Sequence, residues 1–343
     1  MDSLTQLVVG AAAGEAVLGK KLGNKAVLWG AVVGTLPDLD VIPGMFIDDP
    51  DRLLFHRGFS HSLVFVLIAT PLFAWIFSQF FRRRNISMRE WMLYFGVIFS
   101  ASILIDAFTT YGTQLLWPLK YRFEFNTIFV VDPLFTLPLL ITTVWLLFKK
   151  RNLRSRRLLN ITGIAISSVY LVFTIVNKQA INSVFRSALE DQGVVINRMI
   201  TNPTPMNQIL WTAVVETDDH YLTGYYSHLD TDRQIKFERT DKNHELLSPF
   251  EDYQPVEKIL RFTKGLYTVE NQGDDFLVKD LRFGQVKNWG TGESRYVFQY
   301  LVKIEQGKIR VEEVEPSFEG TQELLKQLWE RINGKKDFSK KET

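Results

Sequence analysis

Four stretches of this chain, 62–81, 91–111, 127–148 and 158–177, are apolar over the roughly 20 residues that a helix rising ~1.5 Å per residue needs to cross a hydrocarbon core. Nothing else in the sequence limits the fold as strongly. In lipid, every backbone N–H and C=O must be satisfied within the protein, so each stretch is expected to be a helix. Two earlier stretches, 4–19 and 26–36, are rich in Gly and Ala and short for a full span. Small residues let neighbouring helices approach closely. Residues 1–177 are therefore expected to form a membrane α-helical bundle of about six helices, the first two short. The first residues lack a basic n-region and a small-residue cleavage site, so this apolar N-terminus is expected to be retained.

After Asn177 the long apolar runs stop and charges become frequent. Alternating stretches at 209–215 and 296–304 predict strands. Leu324, Leu325, Leu328, Trp329 and Ile332 recur at helical spacing, predicting an amphipathic helix ahead of a Lys-rich tail expected to be disordered. The bundle is thus expected to be followed by a soluble α+β domain, 178–343.

The formal net charge is only +2, and the basic residues form no interleaved stacking motif, so no nucleic-acid partner is expected. Their placement is more informative. The turns after the first, third and fifth helices carry three, four and six Lys or Arg, whereas the two alternate loops carry two each. Cytoplasmic loops retain positive charge. With six crossings, the basic loops are expected in the cytoplasm, and both termini and the soluble domain outside the cytoplasmic membrane.

Ionisable groups in or beside spanning helices are costly unless paired, solvated or metal-bound. Here they gather in motifs: Pro37-Asp38-Leu39-Asp40, His56-Arg57-Gly58-Phe59-Ser60-His61-Ser62, Asp106 followed by Thr109-Thr110-Tyr111-Gly112, and Asp132-Pro133. On the topology above, all four sit at the outer face. Cysteine is absent, so any metal must be held by His, Asp or Glu. Asp38, Asp40, His56, His61 and Asp106 supply the oxygen and nitrogen donors that one or two divalent ions, Zn²⁺ or Mn²⁺, accept. His56 and His61 lie about 140° apart on a continuous helix, so both reach one ion only if Gly58 breaks the backbone and Ser60 caps the next helix.

Each of these residues also has a plainer role. The two His can form hydrogen bonds at a helix entry, Asp38 and Asp40 can serve as loop and cap residues, and Asp106 can pair with Arg57. Asp132-Pro133 is a good N-cap and first-turn pair for the fifth helix. Glu15, among Gly and Ala in the first helix, can pair with a basic residue or line the cavity. His220, His228 and His244 show no ligand spacing and are read as structural, and Trp211, Tyr221, Tyr225 and Tyr226 as a strand-face core.

At these motifs the chain resembles the YdjM-like family of inner-membrane-associated metal-dependent hydrolases, some of which are linked to LexA. The resemblance is carried by Met1-Asp2-Ser3-Leu4-Thr5-Gln6 with Gly10 and Gly14, by the motifs at 37–40, 56–62 and 106–112, and by Leu116-Trp117-Pro118 and Asp132-Pro133-Leu134. It covers about the first half of the chain. Many members carry His where Gln6 and Ser102 stand, which implies an altered site here.

The expected function is a membrane hydrolase acting at the outer bilayer face on an ester or phosphoester of a membrane lipid or lipid-linked substrate. The ion would lower the pKa of a water and polarise the ester. Asp40 or Asp132 would act as base, and Arg57, Thr109 and Thr110 would position an anionic group. The competing expectation is a non-catalytic transport, scaffold or stress-linked protein whose polar cluster holds helices together.

Overall fold

The structure is a computed structural model that describes residues 1–305, 308–314 and 320–338. The end of the Lys-rich tail, 339–343, lies outside the described residues. The chain divides into two compact units: 1–46, 55–176 and 205–207 form the first, and 47–54, 177–204 and 208–343 the second.

The helices follow in chain order as α1 (Ser3–Leu22), α2 (Asn24–Gly34), α3 (Val41–Gly44), α4 (Asp49–Phe55), α5 (Leu63–Phe80), α6 (Met88–Asp106), α7 (Pro133–Leu147) and α8 (Arg154–Asp191). Several starts are set by a cap: Asp2 accepts from Thr5 N–H for α1, Ser62 from Phe65 N–H for α5, and Ser87 with Glu90 forms a capping box for α6. Four helical stretches are long and apolar enough to cross a membrane, 24–44, 63–80, 88–106 and 154–191, while α7 is apolar but shorter.

Four features differ from the expectation. The first helix, expected to be short over 4–19, has 20 residues, and the second stretch runs on over 24–44, long and apolar enough to cross a membrane. The 91–111 span starts earlier, at Met88, and ends at Asp106, because 107–112 turn away. The stretch expected to begin at 127 becomes helical only at Pro133, where Asp132 accepts from the N–H groups of Leu134 and Phe135. Finally, α8 continues past Asn177 to Asp191. Its polar extension is helical because Ile181, Phe185 and Leu189, four residues apart, share one buried face.

In the first unit α1 and α2 pack backbone to backbone. A Cβ on Gly10 would lie 2.3 Å from the Gly30 oxygen, and one on Gly14 would lie 2.5 Å from the Ala26 oxygen. Only glycine permits this approach. Aromatic residues fill the space between α5 and α6, with Phe77 and Phe95 ring centroids 4.9 Å apart and Phe65 and Phe99 5.3 Å apart. The basic turns gather at one end of α1: Lys21 Nζ donates to Asn85 O and pairs with Glu90, and Arg151 donates to Lys21 O. Arg156 closes this end in a two-pronged pair with Glu15 at 2.7 Å, both side chains buried.

The second unit holds two four-stranded antiparallel sheets, each in simple sequential order. The first comprises β1 (Arg198–Pro203), β2 (Leu210–Glu216), β3 (His220–Ser227) and β4 (Phe237–Asp241). Ile181, Phe185 and Leu189 of α8 pack on its Trp211, Ala213, Val215 and Tyr226. After α9 (Gln254–Thr263) the second sheet follows as β5 (Tyr267–Gln272), β6 (Asp275–Lys287), β7 (Ser294–Glu305) and β8 (Lys308–Glu313). Phe262 of α9 lies against Phe283, Phe298 and Tyr300 of this sheet. The unit therefore contains one arrangement twice, a helix followed by a four-strand meander packed on it. Residues 47–54 join this unit through ion pairs of Arg52 with Glu313 and Asp51 with Lys258. The amphipathic helix near the end is α10 (Thr321–Ile332).

Candidate metal centre

The polar motifs of the first unit meet at the end of α1 and α6 opposite the basic turns. Asp38 and Asp40 lie on a single 3-10 turn that follows α2 and opens with Pro37. A backbone reversal carries the chain from α4 to a second 3-10 turn holding Phe59, Ser60 and His61. The reversal falls at Arg57, whose φ of +56° is in the left-handed region, together with the expected break at Gly58, whose φ of −88° and ψ of −113° are non-helical. Ser62, not Ser60, caps the next helix, which leaves the Ser60 hydroxyl available to the cluster. Asp106 is the last residue of α6.

One donor atom each from Asp38, His61 and Asp106 lies within 4.8 Å of the others. His61 Nε2 stands 3.0 Å from Asp38 Oδ1 and 3.4 Å from Asp106 Oδ2. The far ring nitrogen is fixed too, since His61 Nδ1 lies 2.9 Å from Ser60 Oγ, whose own proton goes to Asp40 Oδ2 at 2.6 Å. A metal-bound imidazole is oriented in this way, by a hydrogen bond on its other nitrogen. Burial alone would lower the pKa of His61, but hydrogen bonds to Asp106, Asp38 and Asp40 push it up to about 10. These carboxylates therefore favour positive charge at the point where Nε2 sits. One imidazole nitrogen and two carboxylate oxygens fit Zn²⁺ or Mn²⁺.

Asp40 and His56 form a neighbouring pair. His56 Nδ1 donates to Asp40 Oδ1 at 2.8 Å, and Asp40 Oδ2 also accepts Arg57 N–H at 2.9 Å. The His56 ring rests on Tyr111, with centroids 5.1 Å apart. Burial lowers the pKa of His56, against the opposing pull of Asp40.

Arg57 is buried beside Asp106, with Nη2 3.2 Å from Oδ1, while Nη1 donates to Thr109 Oγ1 at 3.1 Å. The expected Arg57–Asp106 pair thus coexists with the metal-type cluster. Asp106 further accepts Gln6 Nε2 at 2.7 Å and pairs with the α-amino group of Met1. Gln6 Oε1, Ser102 Oγ and Arg57 Nε are buried with no partner among the described residues. Thr110 is partly buried on the turn after Thr109. Asp132 is placed as the α7 cap, and both its oxygens also receive the Tyr170 hydroxyl, at 2.9 and 3.1 Å.

Sequence reasoning did not single out Tyr111 and Arg122. Arg122 donates to His56 O at 2.8 Å, and the Arg57 and Arg122 guanidinium carbons lie 5.3 and 5.1 Å from the Tyr111 ring centroid. The only hint was position, Tyr111 being part of the Asp106 motif. Glu15 is the partner of Arg156 at the other end of α1 and takes no part here. Of the histidines in the second unit, His244 stacks on Tyr267 at 3.9 Å and His228 Nε2 bonds Asn177 Oδ1 at 2.7 Å.

Helices long and apolar enough to cross a membrane, ending in an Asp- and His-rich cluster, describe a membrane protein. The chain belongs to the YdjM inner membrane protein family, which it matches over residues 1–181. It is also similar to the inner membrane protein YbcI of Escherichia coli (strain K12), with 34% identity over 108 residues. That match takes in 29% of this chain and 61% of the relative's own length. No solved structure matches the chain.

Proposed function

We propose that the protein is a metal-dependent hydrolase of the inner membrane, with its ion held by Asp38, His61 and Asp106. The observation that carries this reading is the convergence of their donor atoms within 4.8 Å, with His61 already oriented by Ser60. A bound divalent ion supplies an acidified water and polarises an ester oxygen. Arg57 has a buried Nε with no partner among the described residues and can donate it to an anionic group, beside Thr109, whose hydroxyl is bonded to Asp106 O and Arg57 Nη1, and Thr110 on the neighbouring turn. That favours a phosphoester over a neutral ester. Leu39 within the Asp38 turn, and Ile42, Met45 and Phe46 just after it, are exposed apolar residues suited to acyl chains. The substrate class is therefore a lipid or lipid-linked phosphoester. By the positive-inside rule the site faces away from the cytoplasm.

Elemental analysis of the purified full-length protein tests this. One or two equivalents of Zn or Mn are expected, lost in His61→Ala and Asp106→Asn while the variants remain folded. A folded wild type without stoichiometric metal overturns the proposal.

A second reading is favoured by the partners of Asp106, which tie α1, α6 and the His61 turn together. In that reading the cluster is a structural clasp of a non-catalytic membrane protein. Asp106→Asn then costs fold and expression rather than metal alone.

A further inference from the structure

The geometry points to His56, held by Asp40, as the general base of the site and not as a ligand of its ion. This inference rests on the hydrolase reading. Asp40 is nearly fully buried and both its oxygens are engaged, Oδ1 by His56 and Oδ2 by Ser60 and the Arg57 N–H, so it is poorly placed to reach a reactant directly. Asp132 is occupied as the α7 cap and by Tyr170. His61 is engaged at both nitrogens, by Ser60 on one side and by Asp38 on the other.

His56 differs from all three. An ionised carboxylate is acceptor-only, so the 2.8 Å contact with Asp40 places the imidazole proton on Nδ1 and leaves the lone pair on Nε2. Nε2 has no partner among the described residues, and the side chain is 23% exposed, whereas that of His61 is fully buried. The ring lies edge-on to His61 with centroids 6.1 Å apart, beside the ligand cluster but outside it. A carboxylate that fixes the tautomer of a histidine whose other nitrogen faces the reactant is the arrangement that makes imidazole a base in hydrolases.

In the step this implies, His56 Nε2 accepts a proton from the attacking water as the water oxygen bonds to the ester phosphorus. The ester oxygen leaves with the bonding electron pair and recovers that proton from the imidazolium. Water and phosphoester are consumed, and alcohol and phosphate are produced.

Two measurements on the full-length protein in detergent test the assignment, using Mn²⁺ alone and diethylpyrocarbonate as probes. In Mn²⁺ titrations, His56→Gln is expected to bind within about threefold of wild type, while His61→Gln weakens binding more than roughly 100-fold. Equal losses in the two variants would make His56 a ligand and overturn the proposal. Diethylpyrocarbonate, read by mass spectrometry, is expected to modify His56 and spare His61. Asp40→Asn, which lets an amide donate to Nδ1 and moves the proton to Nε2, is expected to slow that modification about tenfold or more. An unreactive wild-type His56, or a rate unchanged in Asp40→Asn, overturns the dyad. If the wild type binds no Mn²⁺, the metal reading fails, and the diethylpyrocarbonate contrast still decides the Asp40–His56 pairing by itself.

Discussion

Ser60 uses its hydroxyl in two directions, donating to Asp40 and accepting from His61 Nδ1–H. It thereby joins the Asp40–His56 pair to the Asp38–His61–Asp106 cluster and fixes which His61 nitrogen faces Asp38 and Asp106. Ser60→Ala should leave the fold intact and weaken Mn²⁺ or Zn²⁺ binding by about 10- to 100-fold, as measured by titration of the purified protein. Ser102 sits at the other extreme, buried with a hydroxyl that has no partner among the described residues. Removing an unsatisfied hydroxyl relieves a desolvation cost, so Ser102→Ala should be neutral or stabilising by up to about 1 kcal/mol in thermal unfolding. The residues of the site were legible in the sequence as types and motifs, because Asp and His are conspicuous among apolar neighbours. Their pairing was not. Whether His56 joins His61 or Asp40 depends on the left-handed turn at Arg57, a conformation that no spacing rule assigns to an Arg next to a Gly.

The contact between α1 and α2 is made of glycines and tolerates no added atoms. Gly10→Leu should abolish stable expression, since its side chain would have to pass through the Gly30 carbonyl. Gly96 of α6 provides the contrast: a Cβ there meets Thr70 at an ordinary 3.6 Å. Gly96→Ala should therefore gain about 1 kcal/mol from helix propensity, read as a raised unfolding temperature. Hydropathy located the helices but misplaced their ends, for physical reasons visible in the residues. It reports partition into lipid, and so is blind to the Asp132 cap that delays α7 and to the Ile181, Phe185 and Leu189 stripe that extends α8. The doubled helix-and-meander arrangement left no repeated residue pattern, since packed sheets require only alternating apolar character and not particular residues.

Across the molecule's first unit, the basic turns and the Asp/His cluster occupy opposite ends of α1 and α6. The chain has no cysteine, so single introduced thiols report position without background. Phe46→Cys, on the exposed segment after the Asp38 turn, should react in intact spheroplasts with a membrane-impermeant maleimide. Arg83→Cys, in the basic turn after α5, should react only after lysis. The reverse pattern would invert the proposed orientation and place the site in the cytoplasm.

The short α7 has a consequence for the surrounding lipid. Its 15 residues rise about 22 Å, against a hydrocarbon thickness of about 30 Å. On the proposed placement the bilayer beside α7 must thin by several ångströms, or the non-helical segment before Asp132 must occupy the missing depth. That segment is suited to do so, because Asn126, Thr127 and Ile128 are buried against protein and Phe108 O receives the N–H groups of Thr127 and Ile128. In the first case the membrane surface is locally dimpled beside α7. A phospholipid beside α7 would then present its headgroup at the depth of Asp106 without first leaving its leaflet.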